Sequence, residues 1–147
     1  MPSARGDSVV LAARRSEMLQ QAVGECEALG GAALAVPTDV TQEEQVEALG
    51  RRVLERFGRI DLWFNNAGVV IFGRFEDIPS DVWRRVIETN LFGYVHGARV
   101  ALRQFRRQGR GVLIQNASIV DRTAKLDGSA YAPTGTPPGC LFRIEAR

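Results

Sequence analysis

The stretch Ile60-Asp61-Leu62-Trp63-Phe64 runs straight into Asn65-Asn66-Ala67-Gly68. An apolar, aromatic-rich run of this length reads as a β-strand, and the small and polar residues that stop it read as a tight strand-to-loop turn. Ahead of it, Val46, Leu49, Val53 and Phe57 recur at helical spacing, and the helix they define stops at Gly58. Thr41 and Glu44 form a capping-box pattern at its start. Beyond it, a long helix is expected from Asp81, capped by Ser80, to about Gln108. A strand set between two amphipathic helices is the repeating unit of an α/β sheet with parallel strands.

The same alternation extends to both sides. Ser8 to Ala13 (SVVLAA) is a near-continuous apolar run, as in a buried parallel strand. Ser16 is placed to cap a helix with Leu19, Ala22, Val23, Cys26 and Leu29 on one face, and Gly30 to end it. Ala32 to Val36 is the next strand, and Gly111 to Asn116 (GVLIQN) the fourth. The predicted fold is α/β, a doubly wound, Rossmann-like parallel sheet with right-handed crossovers. At 147 residues the chain is read as a single domain spanning 1–147, too short for two ordinary ones.

Bulk properties narrow the function classes. A net charge of +2 gives no strong field, so neither nucleic acid nor a membrane surface is an expected partner. No apolar run approaches a membrane span, and Met1 to Asp7 carries no apolar stretch of a secretory signal, so a cytoplasmic location is expected. Cys26 and Cys140 match no metal-ligand spacing, and Cys26 is read as buried packing. His96, the single histidine, has no second ligand near it in sequence, so no metal site is expected.

Ligands of open α/β sheets lie beyond the carboxyl ends of the strands. Here those ends carry Arg14-Arg15, Asp39-Val40, Asn65-Asn66-Ala67-Gly68 and Ser118. Read singly, each has an ordinary structural meaning: solvated arginines, a turn aspartate ahead of Thr41, a tight turn and a strand-end serine.

In this order, and with Asn90 (ETNLFG) and Tyr131 following, Ser8 to Tyr131 resembles the short-chain dehydrogenase/reductase family, NADP type. The separation of Ser118 and Tyr131, 131 − 118 = 13, is the one usual for the family's serine and tyrosine. The resemblance implies hydride transfer between NADP(H) and an alcohol or carbonyl substrate. It implies that Tyr131 exchanges the proton, Ser118 holds the carbonyl oxygen and Asn90 steadies a water relay. It also implies that Arg14 and Arg15 meet the 2′-phosphate of NADP, as guanidinium groups do well. Asp39 and Val40 would meet the adenine, and Asn66, Ala67 and Gly68 the cofactor ribose. Self-association through the long helix, 81–108, is a further implication.

The pattern departs from the family in two places. The Gly-rich turn and first strand expected ahead of Ser8 are not found, so the sheet is expected to be incomplete, closing by an unusual pairing or staying split. After Tyr131 the family has Tyr-x-x-x-Lys, whereas the fourth residue on is Gly135. A lysine cation helps bring a tyrosine from about pKa 10 down roughly 3 units, worth about 4 kcal/mol, so activity is expected to be impaired. Ala132 to Arg147, with Pro133, Pro137 and Pro138, fails as the family's helix and is expected to contribute none of the later strands. The expectation is therefore a chain truncated at both ends, family-like over 8–131 with a divergent tail over 132–147. The alternative from another class is a non-catalytic nucleotide-binding or interaction module, a pseudoenzyme or gene remnant.

Overall fold

The computed structural model describes residues 7–116 and 144–145. Contacts gather into two compact units, Met1–Arg59 and Ile60–Arg147, where the sequence reads as one domain.

In the first unit, β1 (Ser8–Ala13) pairs in parallel with β2 (Ala32–Pro37), Ser8 lying opposite Ala32 and Ala13 opposite Pro37. The crossover between them is α1 (Ser16–Ala28), and α2 (Glu43–Phe57) follows β2. The bounds of β1 are those predicted. Its burial is not: the middle is half-buried and the ends are exposed, because among the described residues β2 is its one strand partner. Leu19 of α1 and Val46, Leu49 and Val53 of α2 are buried, as their spacing predicts. Cys26 is half-buried rather than buried.

The helix ends are partly as expected. Gly30 takes the left-handed conformation (φ 82°), its N–H meeting Glu27 O at 2.9 Å while Gly31 N–H meets Cys26 O at 3.2 Å. This reciprocal pattern satisfies the last carbonyls of α1 and needs a residue that tolerates positive φ. Leu29, expected on the buried face, lies just past the last turn and is 50% exposed. Ser16 is the first helical residue of α1 rather than its cap; extended Arg15 precedes it. At α2 the flanking residue is Gln42, and the predicted capping box does not form. The Thr41 hydroxyl lies one residue ahead of the flanking position and donates to Asp39 Oδ1 at 2.8 Å.

In the second unit, β3 (Leu62–Asn65) pairs in parallel with β4 (Val112–Gln115), Leu62 opposite Val112 and Asn65 opposite Gln115. The crossover contains α3 (Ser80–Ile87), a π-helical turn over Glu88–Phe92, and α4 (Gly93–Gln108). The predicted long helix is thus a continuous helical path with one widened turn in its interior. Ser80 is again the first helical residue and Pro79 the flanking one. The core of this unit includes Val86, Ala101, Phe105 and Leu113, all 0% exposed. Gln108 closes the far end of α4: its amide donates to the carbonyls of Ile60 and Arg110 and accepts from Ile60 N–H.

A short β5 (Ile144–Glu145) pairs antiparallel to β4, Ile144 opposite Leu113 and Glu145 opposite Val112. It adds one antiparallel edge pair, which the sequence did not predict, to otherwise parallel strands. Backbone pairing onto an open strand edge needs no side-chain pattern, so the sequence carried no signal for it. Among the described residues the strands have the order β1-β2 in the first unit and β3-β4-β5 in the second.

Candidate functional site

In the first unit, Arg14 and Arg15 directly follow β1 and both are exposed. The neighbouring strand delivers Asp39 and Val40 to the same, carboxyl, end: Thr38 N–H still bonds Ala13 O at 2.9 Å, and Asp39 comes next. Parallel pairing is what puts these two strand exits side by side. Asp39 is held within its own turn. Its Oδ1 accepts from Thr41 N–H at 3.0 Å and its backbone N–H donates to Gln45 Oε1 at 2.8 Å. The turn reading of Asp39 therefore holds, and it fixes the carboxylate at the strand end.

In the second unit, Asn66, Ala67 and Gly68 follow β3 as an exposed loop. Asn90, in the π-helical turn, is 8% exposed and reaches back to this loop. Its Oδ1 accepts from Val69 N–H and its Nδ2 donates to Val69 O, each at 2.9 Å. The widened turn is where a helix departs from regular spacing, a feature frequent at functional sites. The structure thus brings Asn66, Ala67, Gly68 and Asn90 together. Ser118 and Tyr131 lie outside the described residues.

One residue of this region was missed by the sequence reading. Asn65, 8% exposed, donates to Tyr94 O (3.1 Å) and Gln115 Oε1 (2.6 Å) and accepts from Trp63 Nε1 (2.8 Å). It joins β3, α4 and β4 at the root of the loop. Gly97 makes room for it, since a Cβ there would fall on Asn65 Oδ1. The available signal was a doubled asparagine at a strand end, one of which had to point inward by strand alternation.

Among the described residues, no cluster of three or more His, Cys, Asp or Glu side chains could hold a metal ion. No helix among them is long and apolar enough to cross a membrane.

The sequence pattern of the family described as short chain dehydrogenase matches residues 3–134. The chain belongs to this family. This short-chain dehydrogenase is 35% identical over 133 residues to the uncharacterized oxidoreductase YxnA of Bacillus subtilis, a match covering 90% of the chain and 37% of the relative. Among solved structures it is similar to NAD+-bound xylitol dehydrogenase, with TM-score 0.86 and 30% identity over 90% of the chain and 52% of the other. An alcohol dehydrogenase from Thermococcus sibiricus, complexed with 5-hydroxy-NADP, has TM-score 0.84 and 29% identity over 90% and 56%. The short-chain dehydrogenase therefore spans about half, or less, of the length of these relatives. The two solved structures carry different nicotinamide dinucleotides, NAD+ in one and 5-hydroxy-NADP in the other.

Proposed function

We propose that this short-chain dehydrogenase is an NADP(H)-dependent oxidoreductase that moves hydride between the cofactor and an alcohol or carbonyl substrate. The observation that carries the reading is the loop Asn66-Ala67-Gly68 at the carboxyl end of β3, held in place by the buried amide of Asn90. A loop of small residues, fixed from behind and exposed in front, suits close approach of a ribose. Preference for NADP rests on Arg14 and Arg15, exposed at the carboxyl end of β1, where two guanidinium groups suit a 2′-phosphate. Asp39 and Val40 at the adjoining strand end would meet the adenine.

The cofactor supplies or accepts the hydride. Tyr131 would exchange the proton at the substrate oxygen, and Ser118 would hold that oxygen. Asn90 supports this chemistry from the loop side by fixing Val69. Gly135 stands where the family has the lysine that eases tyrosine ionisation, so turnover is expected to be orders of magnitude below that of a complete site. This same residue favours the second reading, a nucleotide-binding module without catalysis.

Self-association through the helical path from Ser80 to Gln108 belongs to the proposal, supported by exposed Leu91 (45%), Phe92 (50%) and Val95 (42%). The cytoplasmic location expected from the sequence is kept with it.

The test is fluorescence titration with NADPH and NADH, followed by carbonyl reduction monitored at the NADPH absorbance. NADPH binding at least about tenfold tighter than NADH, with slow turnover, supports the reading. Tight binding with no turnover supports the module instead, and binding of neither nucleotide refutes both.

A further inference from the structure

The loop that follows β3 is fixed at two points. At its far end Asn90 grips the Val69 backbone. At its near end the Asn116 side chain donates from Nδ2 to Asn66 Oδ1 at 2.7 Å. Asn116 stands at the carboxyl end of β4 and is itself anchored by its backbone: its N–H meets Asn65 O at 2.9 Å and its carbonyl accepts from the Tyr94 hydroxyl at 2.8 Å. Tyr94 is in turn tied to β3, because its carbonyl accepts from Asn65 Nδ2 at 3.1 Å. Asn65, Asn116 and Tyr94 close a ring of hydrogen bonds through β3, α4 and β4, and Asn66 is joined to it through Asn116.

We infer that Asn116 is a positioning residue that sets the conformation of the loop 66–69 through Asn66, with Tyr94 holding Asn116 in register. Asn66 and Asn116 are both exposed, so their bond adds little to global stability. What it does is local. It removes the freedom of a side chain and loop that a ribose would otherwise have to order on binding. The inference deepens the proposed function and rests on it only for the identity of the ligand; the coupling itself is a property of the free chain.

The test compares the parent chain with Asn116→Leu, Asn116→Asp and Tyr94→Phe by backbone amide hydrogen exchange and NADPH titration. Asn116→Leu loses the donor with little change in volume. The carboxylate of Asn116→Asp can still accept from Asn66 if that amide turns over, so it serves as the rescue. Expected for Asn116→Leu are faster exchange at Val69, whose N–H is bonded to Asn90, unchanged exchange at Leu113, and NADPH affinity lower by about two- to tenfold, the worth of one hydrogen bond. Asn116→Asp should restore the slow exchange, and Tyr94→Phe should act in the same direction as Asn116→Leu with a smaller effect. Parent-like exchange at Val69 in Asn116→Leu overturns the inference, whether or not NADPH binds. Faster exchange there with no NADPH binding to any chain upholds the coupling and refutes the cofactor reading.

Discussion

Asn90 and Val69 are joined by two hydrogen bonds of 2.9 Å each, made by the two ends of one side-chain amide and the two polar groups of one backbone residue. An amide used this way satisfies a loop residue completely at one point, as a neighbouring strand would. It also gives a physical reason for an asparagine inside a helix, where its propensity is poor. The widened turn over Glu88–Phe92 is the local departure from regular helix that accompanies it.

Replacing Asn90 with leucine keeps the number and branching of side-chain heavy atoms and deletes both bonds. The N–H and carbonyl of half-buried Val69 then face an apolar group, and each costs on the order of 1 kcal/mol after water makes up part of the loss. Asn90→Leu is expected to lower stability by about 2 kcal/mol in urea denaturation, and Asn90→Asp, which keeps the acceptor and loses the donor, by an intermediate amount. An unchanged midpoint for Asn90→Leu would show that the pair contributes nothing.

Two helical glycines make a contrasting pair. Alanine is favoured over glycine inside a helix by about 1 kcal/mol. At Gly24 of α1 an added Cβ meets nothing within 4 Å, so Gly24→Ala should stabilise the chain by about 0.5–1 kcal/mol. At Gly97 of α4 the Cβ would fall on Asn65 Oδ1 and lie 2.7 Å from Trp63 Nε1. Overpacking of this kind costs about 1–3 kcal/mol, and displacement of Asn65 adds to it, so Gly97→Ala should be destabilising despite the propensity gain. Thermal melting of the two variants, shifting in opposite directions, is the check.

The difference between these glycines marks where the sequence could be read and where it could not. Local periodicity was enough for β1, for the buried face of α2 and for the Gly30 terminus, because neighbours a few residues apart determine them. The environment of Gly97 depends on Asn65, 32 positions earlier by 97 − 65, and no local pattern reports it. The predicted capping box at Thr41 failed by one residue, since the helix begins after Gln42, and Thr41 instead closes a turn with Asp39. β5 was illegible for another reason, since main-chain pairing is indifferent to side-chain pattern. Of the candidate site, the sequence singled out Asn66, Ala67, Gly68 and Asn90 by type and order, while the contact of Asn90 with Val69 and the hydrogen bonds of Asn65 and Asn116 were not legible in it.

Asn65 allows a test of how buried polar groups share their cost. Trp63, 9% exposed, donates its indole N–H to Asn65 Oδ1 at 2.8 Å. Asn65→Leu strands that donor and the Gln115 acceptor, and is expected to cost about 3 kcal/mol. Removing both partners of a hydrogen bond is milder than removing one. Trp63→Phe with Asn65→Leu should therefore lose less than the sum of the two single changes, measured as a double-mutant cycle in urea. Strict additivity would mean that the indole contact is energetically idle.

On the proposed reading Arg14 and Arg15 would carry the distinction between the two nicotinamide cofactors, so their removal should change preference rather than fold. Both are exposed and directly follow β1, and neither packs into a core that a truncation would disturb. Arg14→Ala and Arg15→Ala should each weaken NADPH binding by about tenfold, the scale of one charge-assisted contact, and leave NADH binding within about twofold. The loss should shrink as salt is raised, because the proposed contact with a 2′-phosphate would be exposed and screened over about 10 Å at 0.1 M. Titration of both variants with both nucleotides at two salt concentrations gives the answer. Equal loss for NADPH and NADH would assign the arginines to the pyrophosphate or to stability. No loss for either would return them to the solvated arginines of the simpler reading.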